Sequence, residues 1–400
     1  MKLYKNLCEA VIRSLRDVFI DQRYADKVIE YTLKKNPKWG GRDRRFIAET
    51  TYEMIRWWRL LRDVSKIKEA SAPADFWKLF GAWAVLNDWD LPDWPELKEV
   101  NRTQIQASFE KLKRIRRVAE SIPDWLDEMG SKELGKLWER ELSALNEEAK
   151  VVLRVNTLKA RPALVQRKLS EQGIESNTIE DLENALVLEQ RRNVFRLPEF
   201  KEGYFEVQDA SSQRAGLFLD VQPGMRVIDA CAGAGGKSLQ LAALMQNKGK
   251  IIAMDVEQWK LDELKKRARR AGAGNIETRL VDSGKVIKRL EGSADRLLLD
   301  VPCSGLGVLK RNPDAKWKLS PDFIAQVKDT QHKLLSEYTI MLKKGGVLVY
   351  STCSILPSEN NKQVERFLAE HPGQFELLRQ ETIFPSQGFD GFYICALKKK

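Results

Sequence analysis

Met225-Arg226-Val227-Ile228-Asp229-Ala230 runs directly into Cys231-Ala232-Gly233-Ala234-Gly235-Gly236-Lys237. The first six residues read as a strand, a short apolar run closed by an acid. The next seven hold three glycines, and a helix is predicted from about Ser238. A glycine-rich turn between strand and helix lets backbone approach a ligand closely, and in α/β sheets it lies at the carboxyl edge. From Pro223 onward strands keep alternating with helices. That alternation predicts an α/β domain with a doubly wound, mostly parallel sheet.

Glycine-rich loops are weak signals alone, so their spacing matters. A Walker A loop needs glycine five residues before Gly236, where Cys231 stands, and a dinucleotide G-x-G-x-x-G starting at Gly233 needs glycine at the position of Ser238. Neither phosphate motif is met. Carboxylates follow at strand ends. Residues 249–253 read as a second strand closed by Met254-Asp255, about twenty residues after the loop, where an acid can hydrogen-bond ribose hydroxyls. A third strand at 278–281 ends at Asp282, and a fourth ends at Asp300. Asp255 alone reads equally well as an exposed strand-end carboxylate. Together with the loop and Asp282 it describes an adenosine-containing cofactor held without a pyrophosphate cradle, which S-adenosylmethionine fits better than a nicotinamide dinucleotide.

Two cysteines stand fifty residues apart in Asp300-Val301-Pro302-Cys303 and Ser351-Thr352-Cys353-Ser354. Each follows an apolar run that reads as a buried strand, Arg296-Leu297-Leu298-Leu299 and Val347-Leu348-Val349-Tyr350. A cysteine at a strand end is usually a small core hydrophobe. Two of them beside a cofactor loop point instead to nucleophilic chemistry, and an ionised thiol is well suited to add to a pyrimidine ring.

The 68 Lys and Arg against 57 Asp and Glu leave +11, consistent with a polyanionic partner or with a solvated basic surface. Five cysteines without a CxxC pair, and only two histidines, argue against a metal site and a disulfide scaffold. A reducing, cytoplasmic location is expected. Lys2, Lys5, Glu9, Arg13, Arg16 and Asp17 interrupt the first apolar stretches, unlike a signal peptide, and no run approaches the roughly 18 apolar residues of a membrane helix.

The first third has its own texture: nine of the eleven tryptophans fall between Trp39 and Trp138. Phe46, Met54, Ile55, Trp58 and Leu61 recur at helical spacing over 42–62, so the tryptophans are assigned to a core. Lys111-Leu112-Lys113-Arg114-Ile115-Arg116-Arg117 is either a solvated helix face or a phosphate contact. The pattern changes near 143–150. A strand over 151–157, a helix near 162–172 and strands at 185–188, 194–197 and 204–207 predict a small α+β module. The chain is accordingly divided into an all-helical domain, 1–145, the α+β module, 146–222, and the α/β domain, 223–400.

The segments DACAGAGGKSL (229–239), LLLDVPCSGLGVLKRNPDAKW (297–317) and VLVYSTCSILPSENN (347–361) resemble the three central motifs of the RNA (cytosine-5) methyltransferases. That family includes the bacterial 16S ribosomal-RNA methyltransferase B and eukaryotic nucleolar and tRNA enzymes. Gly203–Ser212 resembles the segment leading into its catalytic domain and Asp390-Gly391-Phe392-Tyr393 its last strand, so the similarity spans about 150–400. Ala234 stands where many members have proline. The helical third, with Arg42-Asp43-Arg44-Arg45 and Tyr52, more loosely resembles an antitermination-factor (NusB-like) domain.

The resemblance implies a Rossmann-like domain that binds S-adenosylmethionine through Cys231, Ala232, Gly233, Ala234, Gly235, Gly236 and Lys237 with Asp255, Asp282 and Asp300. It implies that Cys353 is the nucleophile, that Cys303 assists release, and that the α+β module is an RNA-recognition-like domain. Asp300 is expected to hydrogen-bond the base. Cys231 is expected to contribute backbone, Cys8 and Cys395 to be structural, and His332 and His371 to have neither partner nor role. The expected partner is RNA, 16S rRNA first and tRNA second, bound by a monomer with no metal and no membrane. Three alternatives remain. A DNA-type enzyme would use Cys303 as nucleophile and leave Cys353 unexplained. An amino-group methyltransferase would want an aromatic residue after Asp-Pro-Pro, which Val301 and Cys303 oppose. A non-catalytic ribosome-assembly factor would be free to lose a cysteine or a cofactor acid, and this chain has lost none.

Overall fold

The helical spacing of the first third becomes, in a computed structural model that describes residues 2–400, the helices Lys5–Phe19, Ala25–Lys35, Gly41–Arg56, Trp58–Val64, Pro73–Leu86, Arg102–Leu112, Asp124–Leu134 and Leu137–Leu145. The apolar faces of the helices from Lys5–Phe19 to Arg102–Leu112 close on one core in which the Trp58 ring stacks on Phe19 at 3.7 Å. Trp58, Trp77 and Trp138 are buried, as the spacing predicts. The continuous pattern over 42–62 is broken at Trp57. Ser121 explains the break: its hydroxyl accepts the N–H of Arg59 at 2.9 Å and of Leu60 at 3.3 Å, satisfying donors that a new helix start leaves open. Three of the five cations in 111–117 are engaged locally, Lys113 with Glu110, Arg116 with Asp127 and Arg117 with Asp124.

The chain forms two compact units. The first is the chain up to Glu147 together with a later segment, Leu309–Pro321. That segment is built into the helices. Asp314 accepts the Ala25 N–H at 3.0 Å at the start of Ala25–Lys35, Arg56 donates to the carbonyls of Leu309 and Lys310, and Trp317 Nε1 donates to Ile55 O at 2.7 Å.

The second unit holds two sheets. Strands β1 (Val152–Val155), β2 (Ser176–Ile179), β3 (Leu182–Leu188) and β4 (Phe205–Val207) pair antiparallel in the order β2-β3-β1-β4. The strand expected at 194–197 is instead a 3₁₀ turn, Val194–Arg196. The side chain of Asn193 takes the Phe195 N–H and Pro198 opens the next helix, so neither end of that run can extend a ladder. β2 was not foreseen; its four polar or half-buried positions carry little apolar alternation.

The large sheet contains β5 (Arg226–Asp229), β6 (Lys250–Asp255), β7 (Ile276–Leu280), β8 (Ala294–Asp300), β9 (Leu342–Thr352), β10 (Phe375–Ile383) and β11 (Phe392–Lys399). Their order is β10-β11-β9-β8-β5-β6-β7, with β9-β8-β5-β6-β7 parallel and β10 and β11 antiparallel at one side. Leu297, Leu299, Leu348 and Tyr350 face one buried layer while Leu298 and Val349 face the other, which is why these strands read as unbroken apolar runs. From β5 the chain moves outward through β6 and β7, then returns to β8 on the other side. That reversal opens a crevice beyond the carboxyl ends of β5 and β8, where sheets of this kind bind ligands. Among the described residues no helix is long and apolar enough to cross a membrane.

Candidate active site

The loop after β5 is held from three sides. Ala232 N–H bonds to Met254 O at 2.8 Å, Arg267 donates to Ala234 O at 2.8 Å, and buried Arg154 donates to Gly236 O. Gly235 has φ +86°, and a Cβ there would lie 2.4 Å from Leu264 Cγ, so this glycine is required by conformation and packing. Gly233 and Gly236 differ: a Cβ on either would meet nothing within 4 Å, so the loop leaves open space there. Asp255 closes the far side, its Oδ2 accepting Gly233 N–H and its Oδ1 accepting Glu257 N–H, each at 2.9 Å. Asp229 adds a buried Oδ1 with no hydrogen-bond partner among the described residues, while its Oδ2 accepts from Ser238 at 2.6 Å. Open glycines, a strand-end acid and an unpartnered buried acceptor fit an adenosine-bearing ligand. Asp282 is exposed and accepts from Ser283 Oγ; among the described residues no hydrogen bond ties it to the loop.

The two cysteines lie just past the ends of adjacent parallel strands. Asp300 of β8 is in register with Ser351 of β9, and Val301 N–H continues the ladder to Ser351 O at 3.0 Å. Three and two residues later the thiols meet, with Cys303 Sγ and Cys353 Sγ 3.2 Å apart. Gly307 fixes the approach: its N–H bonds to Cys353 O at 2.9 Å and its carbonyl accepts Gly391 N–H at 2.8 Å. A Cβ at Gly307 would stand 2.0 Å from Gly391 O, so no other residue fits. Asp300 joins the thiol turns to the loop. Its Oδ2 pairs with Lys237 Nζ at 2.7 Å and its Oδ1 accepts from Ser351 Oγ at 2.9 Å.

Comparison with known proteins bears on this geometry. The family model described as 16S rRNA methyltransferase RsmB/F matches residues 216–398, and that of the ferredoxin-like domain of RsmF/B-like methyltransferases matches 122–195. The probable ribosomal RNA small subunit methyltransferase B of Synechocystis sp. is 32% identical over 437 residues, 96% of this chain and 97% of that protein. The chain belongs to the RsmB/F methyltransferase family. Its counterpart in Bacillus subtilis, a probable ribosomal RNA small subunit methyltransferase B, is 33% identical over 70% of this chain and 65% of that protein. The crystal structure of the protein PH0851 superimposes with a TM-score of 0.84 over 100% of both chains at 26% identity. Membership makes the chain an S-adenosylmethionine-dependent RNA methyltransferase with a Rossmann-like catalytic fold.

Within this RsmB/F methyltransferase the thiols differ in environment. The Cys303 thiol is pushed well above the ordinary range, first by its hydrogen bond to Cys353 and then by burial. Burial, followed by the charges of Asp229, Asp300 and Asp255, does the same to Cys231, which fits a backbone contribution from that residue. Cys8 and Cys395 are buried and pushed up to about 12 by desolvation, as core thiols are. The Asp229 carboxyl rises to about 7, chiefly through burial. The histidines do have partners: His332 Nε2 lies 3.0 Å from Glu370 and His371 Nδ1 lies 2.9 Å from Phe367 O.

Sequence reasoning missed three contributors. Ser212, 3.0 Å from Lys237 Nζ, lies in a segment whose family resemblance carried no assigned role. In the sequence Asp229 reads only as the end of a strand. Glu359, fully buried six residues after Cys353, had one visible signal, an acid inside the otherwise uncharged Ser351–Ser358 and Asn360 surroundings. The small module is also tied to the site. Glu206 receives Arg267 at 3.0 Å and Arg270, and Asn156 Nδ2 donates to Ala271 O at 2.7 Å.

Proposed function

We propose that this enzyme forms 5-methylcytosine in ribosomal RNA of the small subunit through a covalent bond between Cys353 and carbon 6 of the base, with Cys303 assisting release. The observation that carries the reading is the contact of the two thiols at 3.2 Å beside the Lys237–Asp300 pair. Carbon 5 of cytosine is too poor a nucleophile to be methylated directly. Addition of a thiolate to carbon 6 breaks the ring conjugation and moves electron density to carbon 5. S-adenosylmethionine supplies the electrophilic methyl group, and the loop Cys231–Lys237 with Asp255 and Asp282 would hold it.

Asp300 would hydrogen-bond the base near N3 and favour the enamine formed by addition. The carbon-5 proton then passes to water, the C–H electron pair re-forms the 5,6 double bond, and the carbon 6–sulfur bond breaks to release Cys353. Cys303, kept protonated by its hydrogen bond to Cys353 and by burial, would assist by giving its proton to the departing Cys353 sulfur 3.2 Å away. The base must be single-stranded or flipped out of a helix. The α+β module and the helical unit, the latter resembling NusB-like domains, are assigned to gripping the RNA. A ribosomal substrate draws support from the relatives' names. Bisulfite sequencing of ribosomal and transfer RNA with and without the gene tests the reading: one small-subunit cytosine should lose its mark. A mark lost only from tRNA would refute the substrate, and no change in 5-methylcytosine would refute the chemistry.

A further inference from the structure

Ser304 and Ser354 each follow a site cysteine by one residue, and both hydroxyls donate to one oxygen, Glu359 Oε1. The other oxygen, Oε2, accepts Ser304 N–H at 2.8 Å and Gln331 Nε2 at 3.0 Å. Gln331 also donates to Pro302 O at 3.0 Å, so the turn around Cys303 is gripped on both sides. The acid itself is anchored through its backbone, whose carbonyl takes the Tyr350 hydroxyl at 2.7 Å. Its neighbour Asn360 accepts from Thr352 Oγ1 and donates to Ser354 O at 3.0 Å, bracketing Cys353.

A fully buried carboxylate is unfavourable unless its oxygens are satisfied, and here four donors converge on it. An apolar side chain would fill the same space at less cost. What an apolar side chain lacks is the ability to hold two turns, fifty residues apart in sequence, to one point. Reaction geometry is sensitive at this scale: a displacement of about 1 Å can lower a rate about 10²-fold. We infer that Glu359 is a positioning residue that sets the spacing of the Cys303 and Cys353 thiols, so that addition and release occur at one place. Its catalytic consequence rests on the two-thiol mechanism proposed above; its geometric content does not.

Two readouts separate these. Reduced protein is treated with dibromobimane, which becomes fluorescent when it bridges two thiols a few ångström apart, and the Cys303→Ala variant sets the background. Glu359→Ala should lose most of the bridging signal and about 10²-fold in kcat. S-adenosylmethionine affinity and KM for RNA should stay near wild type. Glu359→Gln, which keeps an acceptor for Ser304 N–H and Gln331, should recover part of both. If Glu359→Ala does not fold, Ser354→Ala, which removes one donor, gives the same readouts at smaller amplitude. Unchanged bridging and kcat in the variant that folds overturns the inference. So does a fall in kcat matched by equal losses in cofactor and RNA binding, the pattern of general destabilisation. Bridging that depends on Glu359 in an enzyme whose RNA methylation needs neither thiol would leave the positioning intact and remove the mechanism instead.

Discussion

Lys237 of the cofactor loop and Asp300 of the Pro-Cys turn form an ion pair 2.7 Å long, with the lysine side chain 9% exposed and the aspartate 29%. The pair joins the two halves of the crevice, because Lys237 lies in the first turn of Gly236–Leu244 while Asp300 ends β8. Lys237→Met keeps the length of the stem and removes the charge. It should lower kcat by about 10²-fold, since an oriented electrostatic contact to the acid proposed to bind the base is lost. Asp300→Asn should do the same, and the double variant should be little worse than either. A multiplicative double-variant loss would show that the two act independently.

The two thiols should be separable by trapping. Cys353→Ala should form no covalent adduct with RNA and no product. Cys303→Ala should stop turnover but accumulate protein joined to methylated RNA, visible as a slow band in denaturing electrophoresis that nuclease collapses. The reverse pattern would assign the nucleophile to Cys303, and full activity in both would end covalent catalysis by this pair.

Asp255, proposed to hold the cofactor, accepts the N–H groups of Gly233 and Glu257. Asp255→Ala should weaken S-adenosylmethionine by about 10- to 100-fold, the range for hydrogen bonds to a charged group, and leave RNA affinity nearly unchanged. Titration calorimetry with each ligand checks this; equal cofactor affinity removes Asp255 from the site.

Stability should fall as pH rises through the value set for Asp229. Its carboxyl lies at about 7 in the folded protein against 3.8 ordinarily, so the folded state holds this proton more tightly than the unfolded chain. Its contribution is full below the ordinary value and is lost as pH climbs through about 7. Chemical denaturation of wild type and Asp229→Asn should show a difference that declines by at most about 1.4 kcal/mol per pH unit and levels off above neutrality. A pH-independent difference would contradict the buried, protonated carboxyl.

RNA binding should be strongly salt dependent. Roughly six to ten phosphate contacts lose about 10³–10⁵ in affinity between about 50 and 200 mM salt. A filter-binding series with a flat response would argue against the basic surface as the RNA contact.

Much of the site was legible because its parts are local. The strand, loop and helix around Gly233–Lys237 need only adjacent residues to declare them, and the two cysteine motifs mark their own strand ends. What was hidden is what long-range register creates. Nothing near Cys303 in sequence says that Cys353 lies 3.2 Å away, because that follows from β8 pairing with β9. Glu359 is equally silent, since an acid beside serine and asparagine ordinarily means surface. Val194–Leu197 misled for the opposite reason. Its apolar residues look like a strand, yet the Asn193 side chain and Pro198 decide the backbone. The break at Trp57 depends on Ser121, sixty-four residues later, which no helical periodicity can register.

The placement of Leu309–Pro321 among the N-terminal helices constrains how this chain can be cut, fused or inherited. A fragment beginning at Glu148 keeps Asp314 and Trp317 but loses the Ala25 N–H and Ile55 carbonyl that satisfy them, and strips Arg56 from the carbonyls it caps. Exchanging the helices for those of another protein requires exchanging a stretch that begins six residues after Cys303 as well. Two pieces of the gene far apart must therefore change together, and a chimaera joined at residue 147 alone inherits an interior written for a different partner.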